Sequence, residues 1–362
     1  MHSRIFKMDA NLMESDRLKT GSETSTSVGR RVVSGVTVLS TGLVFGFAMN
    51  KAQVYLPFVI MDQMAFQRFT MMKLFMAALG TSLIAKAIFR IAQPSEFEKM
   101  QAARASSPST STVLVVGATI LGAGMTISGS CPGTVYVQLG AQIASAPACF
   151  GGTVIGTLLA MILRAPIAKW EATRSKISST LPVSPLLQTL LGVACVGFSV
   201  ALEFIVREPV ALSAWYPCIA GAVVGALQLP LAFIVRKSLG VSAAMKYILG
   251  EAVAGLSHVV GNPSWLSLPR SSAALQVLFA LGIVGGSLIS GTPLEAAGPM
   301  PSTLPSIIGG VMIAFGASTA CGCTSGHGFS GTAMLMASSW LVVPFIFAGG
   351  MGTAGIKYLL GL

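Results

Sequence analysis

The chain has 362 residues, 53% of them hydrophobic and 10% charged, with a formal net charge of +11. So apolar a balance excludes a water-soluble globular protein. The basic residues sit at the ends of apolar runs without interleaved aromatics, which marks them as topology determinants and argues against nucleic acid as a partner.

Residues 1–31 are polar and mixed in charge, with no apolar core of the kind a secretion signal needs. They are read as a disordered cytoplasmic tail, and residues 32–362 as a single transmembrane transport domain. Val32 to Met49 is a first span, rich in Gly, Ser and Thr. Lys51 to Thr70 is half polar and suits an interface or a partial dip into the bilayer. Met71 to Phe89 is a second span, with Lys86 placed to snorkel, and Gln93 to Thr112 reads as a polar, Pro/Ser-rich loop. Val113 to Ser128 runs into Gly129-Ser130-Cys131-Pro132-Gly133-Thr134, where Pro and Gly break the helix before a short second one. Ala146 to Leu163, Leu186 to Val206 (carrying Glu203) and Trp215 to Val235 follow as spans. Val241 to Val260 is weaker, with Lys246, Glu251 and His258, and Ala273 to Ser290 is clearly apolar.

The last stretch draws the most attention. Gly316 to Thr332 holds Cys321, Cys323, His327 and several hydroxyls on a backbone with five glycines, flanked by apolar Ile307–Phe315 and Met334–Phe347. Polar groups on broken backbone between apolar spans are costly in a bilayer unless they line a protected cavity. The expected fold is an all-α polytopic membrane protein of about nine crossings plus short re-entrant or interfacial helices, each crossing needing about 17–25 residues. Arg30, Arg31, Lys86, Arg90, Lys99, Arg104, Arg164, Lys169, Arg174, Lys176, Arg236 and Lys237 fall on one side, which the Lys/Arg bias makes cytoplasmic.

A shift of 192 positions lays Gly117, Gly124 and Cys131 on Gly309, Gly316 and Cys323 without a gap. Two pseudo-symmetric halves follow, about 32–164 and 273–362, with linking spans over about 186–260. Interrupted helices at matching places in two halves point to a transport site. Helix starts after Cys131 and Cys323 would offer unpaired N–H groups to an anion, and thiols would add weak, polarizable donors suited to a sulfur-bearing one. The candidate substrate-binding residues are therefore Cys131, Cys323, Cys321, His327, Gly129, Gly133, Thr134, Gly322, Thr324, Ser325 and Gly326. Helix packing competes as the explanation of each thiol, and a cap or cross-link as that of His327. Cys149, Cys195 and Cys218 read as small buried hydrophobes, and Glu203, Glu251 and His258 as structural. No cofactor or metal is expected, because C-x-C-x3-H is not a closed zinc spacing and no Met-rich motif precedes it. A Cu(I) transporter is one alternative. The other is an enzyme, a membrane thiol oxidoreductase or sulfurtransferase using Cys321 and Cys323.

Gly322 to Gly328 (G-C-T-S-G-H-G), Gly129 to Thr134 (G-S-C-P-G-T), Gly46-Phe47-Ala48 and Phe66 to Lys73 (F-Q-R-F-T-M-M-K) together resemble the YeeE/YedE family of membrane sulfur-transport proteins. The resemblance implies an hourglass-shaped helical fold in the plasma membrane, with thiosulfate passing by successive hydrogen bonds to thiols at Cys131 and Cys323. It implies a small sulfur anion and the bilayer as partners, with a cytoplasmic sulfur-accepting protein beside them. Two departures stand out. No cysteine precedes Cys131 where the family often has one near the first span, and Ser330 stands where a second signature cysteine is common.

Overall fold

The structure, a computed structural model, describes residues 29–105, 109–171, 176–208, 214–238, 240–241, 244–250, 274–291 and 298–361. Its helices are α1 (Gly29–Lys51), α2 (Pro57–Met64), α3 (Thr70–Ala92), α4 (Pro94–Ala105), α5 (Ser111–Ser128), α6 (Thr134–Gly140), α7 (Ala146–Glu171) and α8 (Pro185–Ile205), followed by α9 (Pro217–Val235), α10 (Ala274–Ser290), α11 (Thr303–Thr319) and α12 (Ala337–Leu359). A short antiparallel pair joins β1 (Ser109–Thr110) to β2 (Lys176–Ile177). Among the described residues, seven helices (α1, α3, α5, α7, α8, α9 and α12) are long and apolar enough to cross a membrane, and α10 and α11 are shorter apolar helices. The protein is an all-α, multi-pass membrane protein, as its composition requires.

Local sequence sets the helix ends. Proline occupies the first turn of α2, α8 and α9, where its missing N–H costs nothing. Thr110 caps α5 by accepting from Val113 N–H, and Ser184 caps α8 by accepting from Leu187 N–H. Gly129 ends α5 at φ +60, where a Cβ would run into Pro57.

Two readings change. The expected loop over 93–112 is mostly helix: Pro94 opens α4, Glu96 lies in its first turn and Arg104 in its last, a charge order that suits the helix dipole. Lys86 does not snorkel. It is fully buried on α3, which is hemmed in by α8, α9 and the 326–331 turn, and its ammonium lies 5.9 Å from the Phe89 ring centroid. The 51–70 stretch dips into the protein, as expected: α2 packs against α3, α5 and α12, Tyr55, Ile60 and Gln63 are buried, and Ala65, Phe66 and Gln67 are exposed. Of the weak span over 241–260, residues 244–250 are helical. Glu251 and His258 lie outside the described residues.

The repeat is built into the helix crossings. α5 runs antiparallel to α11, with Gly117 against Gly316 and Gly124 against Gly309, so close that a Cβ on Gly117 would sit 3.0 Å from Gly316 O. Adding 192 to 117 and subtracting it from 316 turns the first contact into the second. A pseudo-twofold axis therefore passes between these helices and relates them as inverted copies. The outer crossings are just as close: Gly42 and Gly46 of α1 lie on Phe279, Gly282 and Ile283 of α10, and Gly221 and Gly225 of α9 lie on Leu74, Ala77 and Ala78 of α3. α7 against α11 answers to α12 against α5. Without a hydrophobic drive between helices in lipid, such close small-residue contacts are what hold them together.

The β1–β2 pair, the Arg236–Glu96 ion pair (3.0 Å) and the bridge from Thr180 to Met336 gather the basic segments on one face. On the opposite face Trp215 N–H bonds Lys51 O, and Lys73, wholly buried, pairs with Glu203 at 3.4 Å and Glu208 at 3.6 Å. That triad gives Glu203 an interhelical ionic role.

Candidate functional site

Both broken segments begin their helical hydrogen bonding at a cysteine. Val135 N–H bonds Cys131 O at 3.0 Å, and His327 N–H bonds Cys323 O at 2.8 Å, equivalent bonds 192 positions apart. Each cysteine carbonyl thus accepts the first helical bond of its broken segment. Around Cys131 the cap is reciprocal: Thr134 N–H donates to Cys131 Sγ at 3.4 Å, and Cys131 N–H donates to Thr134 Oγ1 at 2.7 Å. This is a capping box with sulfur in the place of the usual hydroxyl. Gly133 lies against the same sulfur, and Gly129 O accepts from Gln138 Nε2 at 2.8 Å, which ties the short α6 back to the end of α5.

Cys323 is fully buried, and its sulfur lies 3.3 Å from Ser325 Oγ. Thr324 Oγ1 reaches Met125 Sδ of α5 at 3.6 Å, so the second segment touches the helix that leads into the first. Cys131 and Cys323 lie within electrostatic reach of each other, and Tyr136 is within reach of Cys323. The eleven residues nominated from sequence fall on two turns, 129–134 and 321–327, the second touching the helix that leads into the first.

Cys321 takes the place in the second half that Gly129 holds in the first, and both adopt left-handed backbone, φ +59 and φ +60. A side chain there costs about 1–2 kcal/mol that glycine avoids. Cys321 is exposed and lies 3.2 Å from Ser109 Oγ of β1. It lines a cavity of about 230 Å3 opening on the basic face, and Cys323 does not.

His327 is a strut. Its Nε2–H donates to Ala320 O and its Nδ1 accepts from Ser339 Oγ, both at 2.9 Å, the tautomer being set by the carbonyl. Gly322 leaves room for the ring, since a Cβ there would lie 2.6 Å from Nε2. With both nitrogens engaged, the imidazole ties the broken segment to α12 and has no nitrogen left for an anion or a metal.

Two cations join the site that the sequence did not place there. Arg104, at the end of α4, donates from Nη2 to Gly326 O at 2.8 Å and is within electrostatic reach of Cys321 and Cys323. Burial lowers its pKa from the usual value, with the two thiols opposing the shift. Lys246, on the helical stretch 244–250, is within reach of the same two cysteines. The pattern Pro94 to Ala105 could have revealed α4, but nothing local shows that it folds under the broken turn.

Between Cys131 and α11 the protein is nearly closed. A cavity of about 30 Å3, lined by Pro132, Tyr136, Thr153, Thr157, Ala317 and Ser318 among others, has the volume of a single water.

Residues 51–352 match the family described as sulphur transport, a span that includes both broken segments. The chain belongs to the sulphur-transport family. A probable transporter of Xylella fastidiosa (strain 9a5c) is 29% identical over 143 residues, 39% of this chain and 92% of that protein.

Proposed function

We propose that this membrane sulfur transporter carries thiosulfate, or a closely related sulfur anion, along a path past Cys131 and Cys323. The observation that carries the reading is the equivalence of the two thiols. Each opens a broken segment at the same place in its half, with Val135 N–H on Cys131 O and His327 N–H on Cys323 O. We further propose that the basic face is cytoplasmic, in a cell plasma membrane, following the Lys/Arg bias. A cytoplasmic sulfur-accepting protein would then receive the cargo.

Amides at the helix starts attract any anion alike, so they discriminate little between sulfate and thiosulfate. The terminal sulfur of thiosulfate is softer and less tightly hydrated than oxygen. It loses less on entering a narrow, mostly apolar path, and it still accepts from S–H donors. A difference of about 1.4 kcal/mol is a tenfold ratio of affinities. Flux of labelled thiosulfate into proteoliposomes, in competition with sulfate, tests the proposal. Cys131→Ala and Cys323→Ala should each remove most flux, and sulfate should compete at least about tenfold less well than unlabelled thiosulfate. Equal competition by the two anions would reduce the path to a generic anion route.

A further inference from the structure

The cavity beside Cys321 lies outside the path between the two helix-start thiols, and its wall has a consistent chemistry. Arg104, Ser109, Cys321, His327, Met336 and Ser338 line it, together with apolar Ala103, Leu114 and Ile177. Arg104 brings a full positive charge that meets no carboxylate, since no described residue forms an ion pair with it. Glu171 accepts from Thr110 N–H at 2.9 Å and from its hydroxyl at 3.3 Å, and is not among the described residues that line the cavity. Ser338 belongs to the first turn of α12, a 23-residue helix whose start borders the same space, with the N–H groups of Ala337, Ser339 and Trp340 already donated to Ser179 O and Met336 O. Ser109 Oγ and Cys321 Sγ, 3.2 Å apart, present a hydroxyl and a thiol side by side. The wall holds donors and a cation, and no acid.

We propose that this vestibule is a second binding site for a sulfur oxyanion, distinct from the Cys131–Cys323 path, with Arg104 and the α12 helix start neutralising the charge and Cys321 reading the sulfur. The inference rests on the sulfur-anion reading above and deepens it. About 230 Å3 is room for a tetrahedral anion with part of its hydration, where the cavity near Cys131 admits about one water. Access to water is at hand, because Arg104 also borders a larger cavity of about 430 Å3, whose wall includes Lys99 and Arg236 paired with Glu96, and Lys237. The left-handed backbone at Cys321 is consistent with a thiol kept at a position that suits glycine. An anion leaving Cys323 would pause here, partly rehydrated, before release.

The test uses the full-length protein in detergent and labelled thiosulfate, read as equilibrium binding alongside flux in proteoliposomes. A Cys131→Ala/Cys323→Ala double variant should lose flux and keep one saturable thiosulfate site. Adding Arg104→Gln to it should weaken that site about tenfold or more, the size of a lost charge-assisted hydrogen bond. Because Arg104 also holds Gly326 O, Cys321→Gly is the second probe. Glycine accepts the left-handed backbone, so the fold should hold or gain, while thiosulfate binding weakens and sulfate binding stays unchanged. Undiminished thiosulfate binding in both Arg104→Gln and Cys321→Gly overturns the vestibule site, whatever the flux. So does complete loss of binding in the double variant. Normal flux in the double variant, with binding still lost on Arg104→Gln, sinks the cysteine path and leaves the vestibule standing.

Discussion

Cys131 has two separable jobs, and a three-variant series distinguishes them. Its sulfur accepts from Thr134 N–H at 3.4 Å, while Thr134 Oγ1 accepts from Cys131 N–H at 2.7 Å, so the thiol helps to start α6. Loss of a capping side chain costs about 0.5–2 kcal/mol, and a sulfur acceptor belongs at the low end. Cys131→Ala should therefore lower stability by about 1 kcal/mol. Cys131→Ser restores an oxygen cap, as good as or better than sulfur, and should unfold near the wild-type temperature. Thr134→Val removes the other half of the box from a fully enclosed site and should destabilise at least as much as Cys131→Ala, while sparing the thiol. If thiosulfate is passed by sulfur, flux falls by about tenfold in both Cys131 variants, and Thr134→Val keeps most of it. Thermal unfolding in detergent and flux of labelled thiosulfate in proteoliposomes give the two readouts. Wild-type flux in Cys131→Ser would show that the thiol is a cap and nothing more, and the path would have to run elsewhere.

Other expectations follow from the same geometry. His327→Phe leaves Ala320 O and Ser339 Oγ without their partner, which at about 1–3 kcal/mol each should destabilise strongly, and near-normal thermal stability would contradict the strut. Gly117→Val forces a side chain onto Ala320 N, 2.6 Å from the Cβ position, and should cost about 3 kcal/mol or prevent assembly. Gly151→Ala, with no atom within 4 Å of its Cβ position, is the neutral control. In a Cys321→Gly background, an impermeant maleimide applied outside intact cells should label a cysteine at Met300 and not one at Ser178; the reverse pattern would invert the proposed topology.

The fold was legible because bilayer crossing demands long apolar runs, and those runs are plain in the chain from Val32 to Phe347. The repeat was legible for a related reason: Gly117, Gly124, Gly309 and Gly316 are the crossing of α5 with α11, and only residues without side chains permit that approach. What the sequence hid is tertiary. Arg104 and Lys246 look like loop and weak-span cations until α4 and the 244–250 stretch are placed beside Cys321 and Cys323. Lys86 looked like a snorkelling residue because one-dimensional position cannot show which face of α3 is enclosed. His327 was visible as chemistry, but its commitment to Ala320 and Ser339 depends on α12 returning against the broken turn.

The two cysteines hold equivalent places in unlike surroundings, and the difference bears on how an anion is handled. Cys131 meets the N–H and hydroxyl of Thr134, and its neighbour Pro132 lines a cavity of about 30 Å3. Cys323 has Arg104 and Lys246 within electrostatic reach and the 230 Å3 vestibule nearby. A unit charge 4 Å from its counter-charge gains about 4 kcal/mol at an effective dielectric of 20, and less at greater range. An anion should therefore rest nearer Cys323 than Cys131. Such a gradient fixes where the anion dwells and leaves the direction of net flux to concentration and coupling. It also separates two properties, affinity from the cations and discrimination from the thiols. Lys246→Met should raise the thiosulfate concentration needed for half-maximal flux and leave the thiosulfate-to-sulfate preference unchanged. A variant that changed the preference while keeping wild-type affinity would move discrimination from the sulfurs to the cations, and the pairing of soft donor with soft anion would no longer account for selectivity.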